Sequence, residues 1–217
     1  TMIYHTPEVK EKLEKIGIPV LVERSSYEND PLGRMEWIKV YGLLTGKLEA
    51  ASDIFDREIT ALSELKTEAG TEKTTAFFYV TTTGTVNVRK SQDYVVKMIT
   101  MAGGSYVFPN LGENGNALST VNMTIEAFYE GAKNADILIY NSTIDGELET
   151  IAQLLSKSAL FKDFKAVQNG DVWCTGKNLY QEPMGLSAMI RDLNRIFTQS
   201  DPDPASLTYL HRLTDGK

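Results

Sequence analysis

The sequence predicts an α/β protein: a parallel, Rossmann-like C-terminal lobe preceded by a long helix. Three observations carry that prediction. From about residue 70 onward, short apolar runs bounded by turn residues alternate with helical patterns, as in strands joined by crossover helices. The run DILIYN is apolar almost throughout, which fits a strand covered on both faces. Ahead of these lies a stretch of nearly forty residues, 28–65, with apolar side chains at three- and four-residue steps, one face of a helix.

Taken in order, residues 6–23 (TPEVKEKLEKIGIPVLVE) predict a capped amphipathic helix and a short strand. Thr6 can cap it, Pro7 suits the first turn, and Val9, Leu13 and Ile16 share a face. Gly17 ends the helix, and IPVLVE predicts a buried strand. No strand precedes it, so the chain is expected to begin in the middle of a domain. In residues 28–65, Asp30 can cap and Pro31 fits the first helical position. The apolar face runs from Met35 through Leu48 and Phe55 to Leu65. Gly42 and Gly46 each weaken a helix by roughly 1 kcal/mol relative to Ala, which predicts a kink near LTGK. A continuous rod would reach about 50 Å. The pattern fits either two consecutive core helices or a strut joining two lobes.

Beyond Glu68, TTAFFYVTT predicts a strand and SQDYVVKMITMAGG a helix stopped at Gly103-Gly104. SYVFP predicts a short strand, MTIEAFYEGAKNA a helix capped by Thr124, and DILIYN a strand. GELETIAQLLSKS predicts a helix and GDVWCTG a strand. EPMGLSAMIRDLNRIFTQ predicts a closing amphipathic helix with Pro183 in its first turn. The expected division is residues 1–28 ahead of the long helix, 29–68 as that helix, and 69–217 as an α/β domain.

Composition narrows the function. The net charge is −7 with no basic block, so the electrostatic footprint of a nucleic-acid binder is missing. Cys174 is the only cysteine, which excludes an intramolecular disulfide and reads as a buried small apolar residue. His5 and His211, the two histidines, lie near opposite ends, which argues against a catalytic triad or a histidine-based metal site. No apolar run approaches the ~18 residues of a membrane span.

In an open parallel sheet, ligands bind beyond the carboxyl ends of the strands. That selects the loops 81–90, 107–122, 141–147 and 175–183. They offer the hydroxyls of Thr82 and Thr83, the cations Arg89 and Lys177, and Tyr180, with Trp173 on the strand before it. They carry no phosphate-binding glycine motif and no nucleophile–base pair. Such a lining suits binding better than turnover, and no cofactor is expected.

Several stretches together resemble one family. The stretch from TPEVKEKLEKIGIPVLVE through DPLGRMEWIKVYGLLTGK is similar to the middle of the substrate-binding proteins of bacterial ABC importers for iron-siderophore, haem and cobalamin. SQDYVVKMITMAGGSYVF resembles their first C-lobe helix, MTIEAFYEGAKNADILIYN their glutamate helix and following strand, and SKSALFKDFKAVQNGDVWCTG a compact turn leading to a strand. The resemblance implies a non-enzymatic, extracytoplasmic receptor, periplasmic or a membrane-anchored lipoprotein. Under it, residues 1–28 are the remnant of an N-terminal lobe and 69–217 the ligand-binding lobe. It implies an interlobe cleft for a metal chelate, a ferric siderophore ahead of haem or cobalamin. It also implies carboxylates that dock on the permease subunits, carried over to Glu126 and, one turn on, Glu130. Tyr27 joins Thr82, Thr83, Arg89, Trp173, Lys177 and Tyr180 as an expected ligand contact. Most of the N-lobe pattern is missing, so the chain is expected to be a C-terminal fragment whose strand edge at 18–27 can pair with another copy. An α/β enzyme or cofactor scaffold of related topology is the competing expectation.

Overall fold

The computed structural model describes residues 6–65, 73–112, 119–180 and 182–216. Helix α1 (Pro7–Lys15) has Pro7 in its first turn and buries none of its residues. The expected strand after it is absent. Residues 18–24 have no regular structure, and Ile18 and Leu21 are 46% and 59% exposed. An apolar run becomes a strand only beside a partner that takes up its backbone hydrogen bonds, and among the described residues none lies there.

The stretch expected as one rod is two helices, α2 (Pro31–Leu44) and α3 (Leu48–Ser63). Asp30 caps α2, accepting from the Leu32 N–H at 2.9 Å. The predicted break falls at Thr45–Lys47, where Gly46 takes φ +69° and the Thr45 hydroxyl donates to Tyr41 O at 2.8 Å. The helices fold back on each other. Lys39 Nζ lies 4.1 Å from the Phe55 ring centroid, whereas a straight helix would hold those residues about 24 Å apart. Gly42 permits this approach, because a Cβ there would sit 2.6 Å from that of Ala51. The segment is thus a hairpin, the plainer of the two arrangements the pattern allows.

A seven-stranded sheet follows: β1 (Thr74–Val80), β2 (Val86–Arg89), β3 (Ser105–Tyr106), β4 (Thr120–Met123), β5 (Ile137–Tyr140), β6 (Val172–Thr175) and β7 (Leu210–Arg212). Its order is β4-β2-β1-β5-β6-β7, with β3 on β1. The centre is parallel, β1 to β5 to β6, as is β3. Strands β2, β4 and β7 are antiparallel, so the sheet is mixed rather than wholly parallel. The stretch 81–90 is not one loop but a tight turn and a returning strand.

Alternation along the central strands explains why they are apolar throughout. Phe77, Ile139 and Trp173 face one core, while Phe78, Tyr140 and Cys174 face the other. Helices α4 (Tyr94–Met101) and α8 (Leu186–Thr198) cover the first face, joined by Met35 and Phe55 of the hairpin. Helices α5 (Ile125–Ala132), α6 (Ile151–Lys157) and α7 (Lys165–Asn169) cover the second. There Phe78, Phe128, Phe161 and Phe164 stack with centroids 4.7–6.3 Å apart. No helix among the described residues is long and apolar enough to cross a membrane.

Candidate functional site

Direction along the helices locates the two ends of the lobe. Glu58 of α3 accepts from Ser187 Oγ (2.5 Å) and Arg191 Nη1 (3.0 Å) of α8. Further along, Glu64 and Leu65 meet Arg195 and Thr198 in one groove. The two helices therefore run side by side in the same direction. Phe197, at the end of α8, packs where the strands begin, against Gly104 and beside Lys73 and Ile137. The start of α3, about 20 Å back along its axis, is thereby carried to the side of the sheet's carboxyl ends. The hairpin tip projects there with Tyr41, Leu43, Leu44 and Leu48 all at least 44% exposed.

Three loops leave the carboxyl ends of the central strands on that side. After β1, Thr81 Oγ1 lies 2.9 Å from Thr83 Oγ1 and 2.8 Å from Thr85 Oγ1. Gly84 at φ +80° closes this turn, and Thr82 and Thr83 are exposed on it. After β5, Asn141 Oδ1 accepts from the hydroxyl of Thr143 at 2.9 Å. Ser142 N–H donates to Thr175 Oγ1 at 3.0 Å, tying this loop to β6 in the interior. Tyr140 OH donates to Asp145 at 3.3 Å, and Lys157 pairs with the same carboxylate. The Lys157 hydrogen bond, opposed by partial desolvation, holds Asp145 below the usual carboxylate range, while burial raises the Tyr140 phenol. After β6 a 3₁₀ turn spans Lys177–Tyr180; the side chains of Lys177 and Tyr180 lie outside what the structure describes.

Of the expected ligand contacts, one is a core residue and another is a partly buried ion-pair partner at the end of a strand. Trp173 is 2% exposed on β6, beside the edge strand β7, with Arg212 over its ring at 4.7 Å. Arg89 sits on β2 with its side chain 12% exposed, 3.8 Å from Asp93 and 5.6 Å from the Phe77 ring centroid. Both corrections follow from strand placement: a side chain within a strand faces a helical layer, not the strand's end. Tyr27 is 52% exposed, at the end of the 3₁₀ turn Ser25–Tyr27.

Arg34 carries a role the sequence did not disclose. Its Nη2 donates to Ser26 O and its Nε to Glu28 O, both at 2.8 Å, and its guanidinium lies 3.6 Å from the Tyr94 ring centroid. It ties the Tyr27 turn to both α2 and α4. An arginine within a helical pattern gives no local sign of such a contact. The docking candidates lie elsewhere on the lobe. Glu126 is exposed in the first turn of α5, capped by Thr124 Oγ1 accepting from Ala127 N–H at 3.3 Å. Glu130 is exposed and pairs with Lys133 at 3.0 Å.

The chemistry available at the carboxyl ends is that of hydroxyls, amides and a carboxylate–lysine pair. Cys174 is no nucleophile: burial pushes its thiol up to about 11, and Leu148 N–H donates to its sulfur at 3.3 Å.

No family model matches the chain. Two curated relatives are uncharacterized lipoproteins of Methanocaldococcus jannaschii. One is 29% identical over 181 residues, covering 82% of this chain and 42% of the relative. The other is 26% identical over 178 residues, covering 79% and 44%. The chain thus spans less than half the length of these relatives.

Among solved structures, a periplasmic solute-binding protein of Veillonella parvula superposes at TM-score 0.67 with 18% identity, covering 90% of this chain and 59% of that one. A periplasmic haem-binding protein of Vibrio cholerae gives 0.66 and 18%, covering 90% and 73%. An ABC-type Fe3+-hydroxamate transport protein of Saccharomonospora viridis gives 0.65 and 18%, covering 87% and 65%. The mixed sheet, its two helical layers and the preceding helical segment have the fold of the periplasmic solute-binding proteins of iron, siderophore and haem ABC transporters.

Proposed function

We propose that the chain is the C-terminal lobe, with its interlobe helices, of a solute-binding protein of an ABC importer. The observation that carries this reading is the exposed apolar hairpin tip on the same side as the carboxyl-end loops. Tyr41, Leu43, Leu44 and Leu48 form an apolar surface of the kind that a second lobe of a longer protein would cover. A cleft between that lobe and the loops at 81–85, 141–147 and 175–183 would hold the solute. Tyr27, Thr82, Thr83, Lys177 and Tyr180 are the residues of this chain proposed to reach it.

The solute is a metal chelate, a ferric siderophore first, with haem or cobalamin bound by the same mechanism as the alternative. Hydroxyl and amide donors beside an aromatic ring suit a chelate whose oxygen donors face outward. Exposed Glu126, with Glu130 one turn on, would pair with arginines of the permease. The lipoprotein names of the relatives support an extracytoplasmic, anchored receptor.

Tryptophan fluorescence tests the reading. Trp37 is half-buried and donates to Glu28 at 3.3 Å beside the Tyr27 turn, so a ligand bound there alters its emission. A longer protein containing this chain is expected to respond saturably to a ferric hydroxamate, haem or a corrinoid. Silence towards all three overturns the proposal.

A further inference from the structure

A second cluster begins where the 141–147 loop ends and lies at the outer edge of the sheet, where the distant positions of the two histidines along the chain gave no sign of it. Glu147, Glu149 and His211 each bring one ligand atom to within 4.8 Å of the others. The fold gathers them from two places. Residues 147–149 leave the β5 loop with Leu148 buried (6% exposed) between two glutamates, Glu147 half-buried and Glu149 exposed. An apolar anchor flanked at i−1 and i+1 turns both carboxylates to the opposite side from itself. His211 comes from β7, the last strand in the sheet order, opposite Cys174 of β6.

The backbone that carries these groups is fixed before any ligand arrives. Leu148 N–H donates to Cys174 Sγ at 3.3 Å, Glu149 N–H to Gln153 Oε1 at 2.6 Å, and Thr214 N–H to Glu149 O at 3.0 Å. Thr150 and Thr214 close a parallel bridge just beyond. Rigid elements rather than a free loop therefore present the donors. His211 Nε2 lies 2.8 Å from Leu148 O and 3.9 Å from Glu149 Oε2. In this state Nε2 donates its proton to the carbonyl. A cation takes that proton's place only once the ring has turned away from the Leu148 carbonyl, towards Glu149.

We propose that Glu147, Glu149 and His211 form a divalent-cation site at the β7 edge of the lobe. The donor set of one imidazole and two carboxylates selects a borderline cation such as Zn2+ over Mg2+, which prefers all-oxygen shells and keeps its waters. Three protein ligands leave positions open to water or to a fourth donor. Metal–ligand distances of about 2 Å set the ligand atoms of a tetrahedral site roughly 3.3 Å apart, so atoms already within 4.8 Å of one another close in by side-chain rotation of the glutamates and of the His211 ring. The site adjoins the 141–147 loop of the proposed cleft, but its test uses the cation alone and does not depend on a bound solute.

Calorimetric titration of the His5→Ala form of the 217-residue chain with ZnCl2 tests this, since that form keeps a single imidazole. One saturable Zn2+ site is expected, with the His211 ring resonances shifting in parallel. Glu149→Gln and Glu147→Gln, each on a side chain outside the core, are expected to weaken it at least about tenfold, and His211→Ala to abolish it. Excess Mg2+ is expected to leave it intact. Absence of saturable binding overturns the proposal. So does binding unchanged in the glutamine variants, or displacement by Mg2+ at equal concentration.

Discussion

Phe128 and Leu44 are both large apolar residues on helices, yet Phe128 is 0% exposed and Leu44 63%. The contrast extends to the regions that hold them. In the sheet lobe, Ile144 is the one large apolar side chain counted as exposed among the described residues. The other nine, from Ile16 to Ile54, all lie in the segment before the sheet. A lobe whose sheet is covered by helices on both faces satisfies its own apolar surface. The hairpin satisfies only one of its sides, through Met35 and Phe55. The difference marks which part of the molecule buries its own apolar side chains and which leaves them exposed.

The sharpest way to test that contrast is to truncate a side chain on each side of it. Phe128→Ala removes the centre of the aromatic stack and is expected to cost about 3–5 kcal/mol, read as a lowered midpoint in chemical denaturation. Next comes the hairpin itself. Gly42→Val would drive side-chain atoms into Ala51 Cβ and the Lys47–Leu48 backbone, costing about 1–3 kcal/mol and loosening α2 from α3. Proteolysis near Thr45–Lys47, faster in the variant, checks it.

Smaller is the effect at the joint between the regions. Desolvation raises the Glu58 carboxyl, but hydrogen bonds from Ser187 and Arg191 outweigh it and hold the group below its ordinary value. A lowered folded-state pKa contributes stability above the unfolded value of about 4.3, and that contribution fades as pH falls through the folded value. Glu58→Gln is therefore expected to cost about 1 kcal/mol at neutral pH, discounted for partial exposure. Its thermal midpoint is expected to fall less steeply than the parent's between about pH 5 and pH 3. Identical acid slopes would remove Glu58 from the joint. The smallest change in stability belongs to Leu44→Ser, within about 0.5 kcal/mol. Sedimentation should nevertheless show less self-association at high concentration, since the apolar tip is what copies would share.

Legibility followed the range of the interactions. Helix starts were readable at Asp30, where Pro31 follows the cap, and at Thr124, because capping is settled within a few residues. The break at LTGK was readable for the same reason. Strand β2 was not, since VNVR looks like a loop until β1 and β4 supply its ladder. IPVLVE failed in the opposite sense, its strand propensity unmet by any neighbour. Of the candidate site, Thr82, Thr83 and Glu126 were found exposed where the loop and helix patterns put them. Trp173 and Arg89 were misplaced because the sequence does not say which way a strand residue faces or where the strand stops.

The alternation of strands and helices, the helix caps, and an apolar content sufficient for two cores are all written locally in the amino-acid order. These depend on local periodicity and backbone chemistry. Only the tertiary structure decided that the long helical stretch doubles back at Gly46, that the sheet is mixed, and that His211 meets Glu147 and Glu149. Each of those rests on contacts between residues distant in sequence, whose energy exists only once the chain has brought them together.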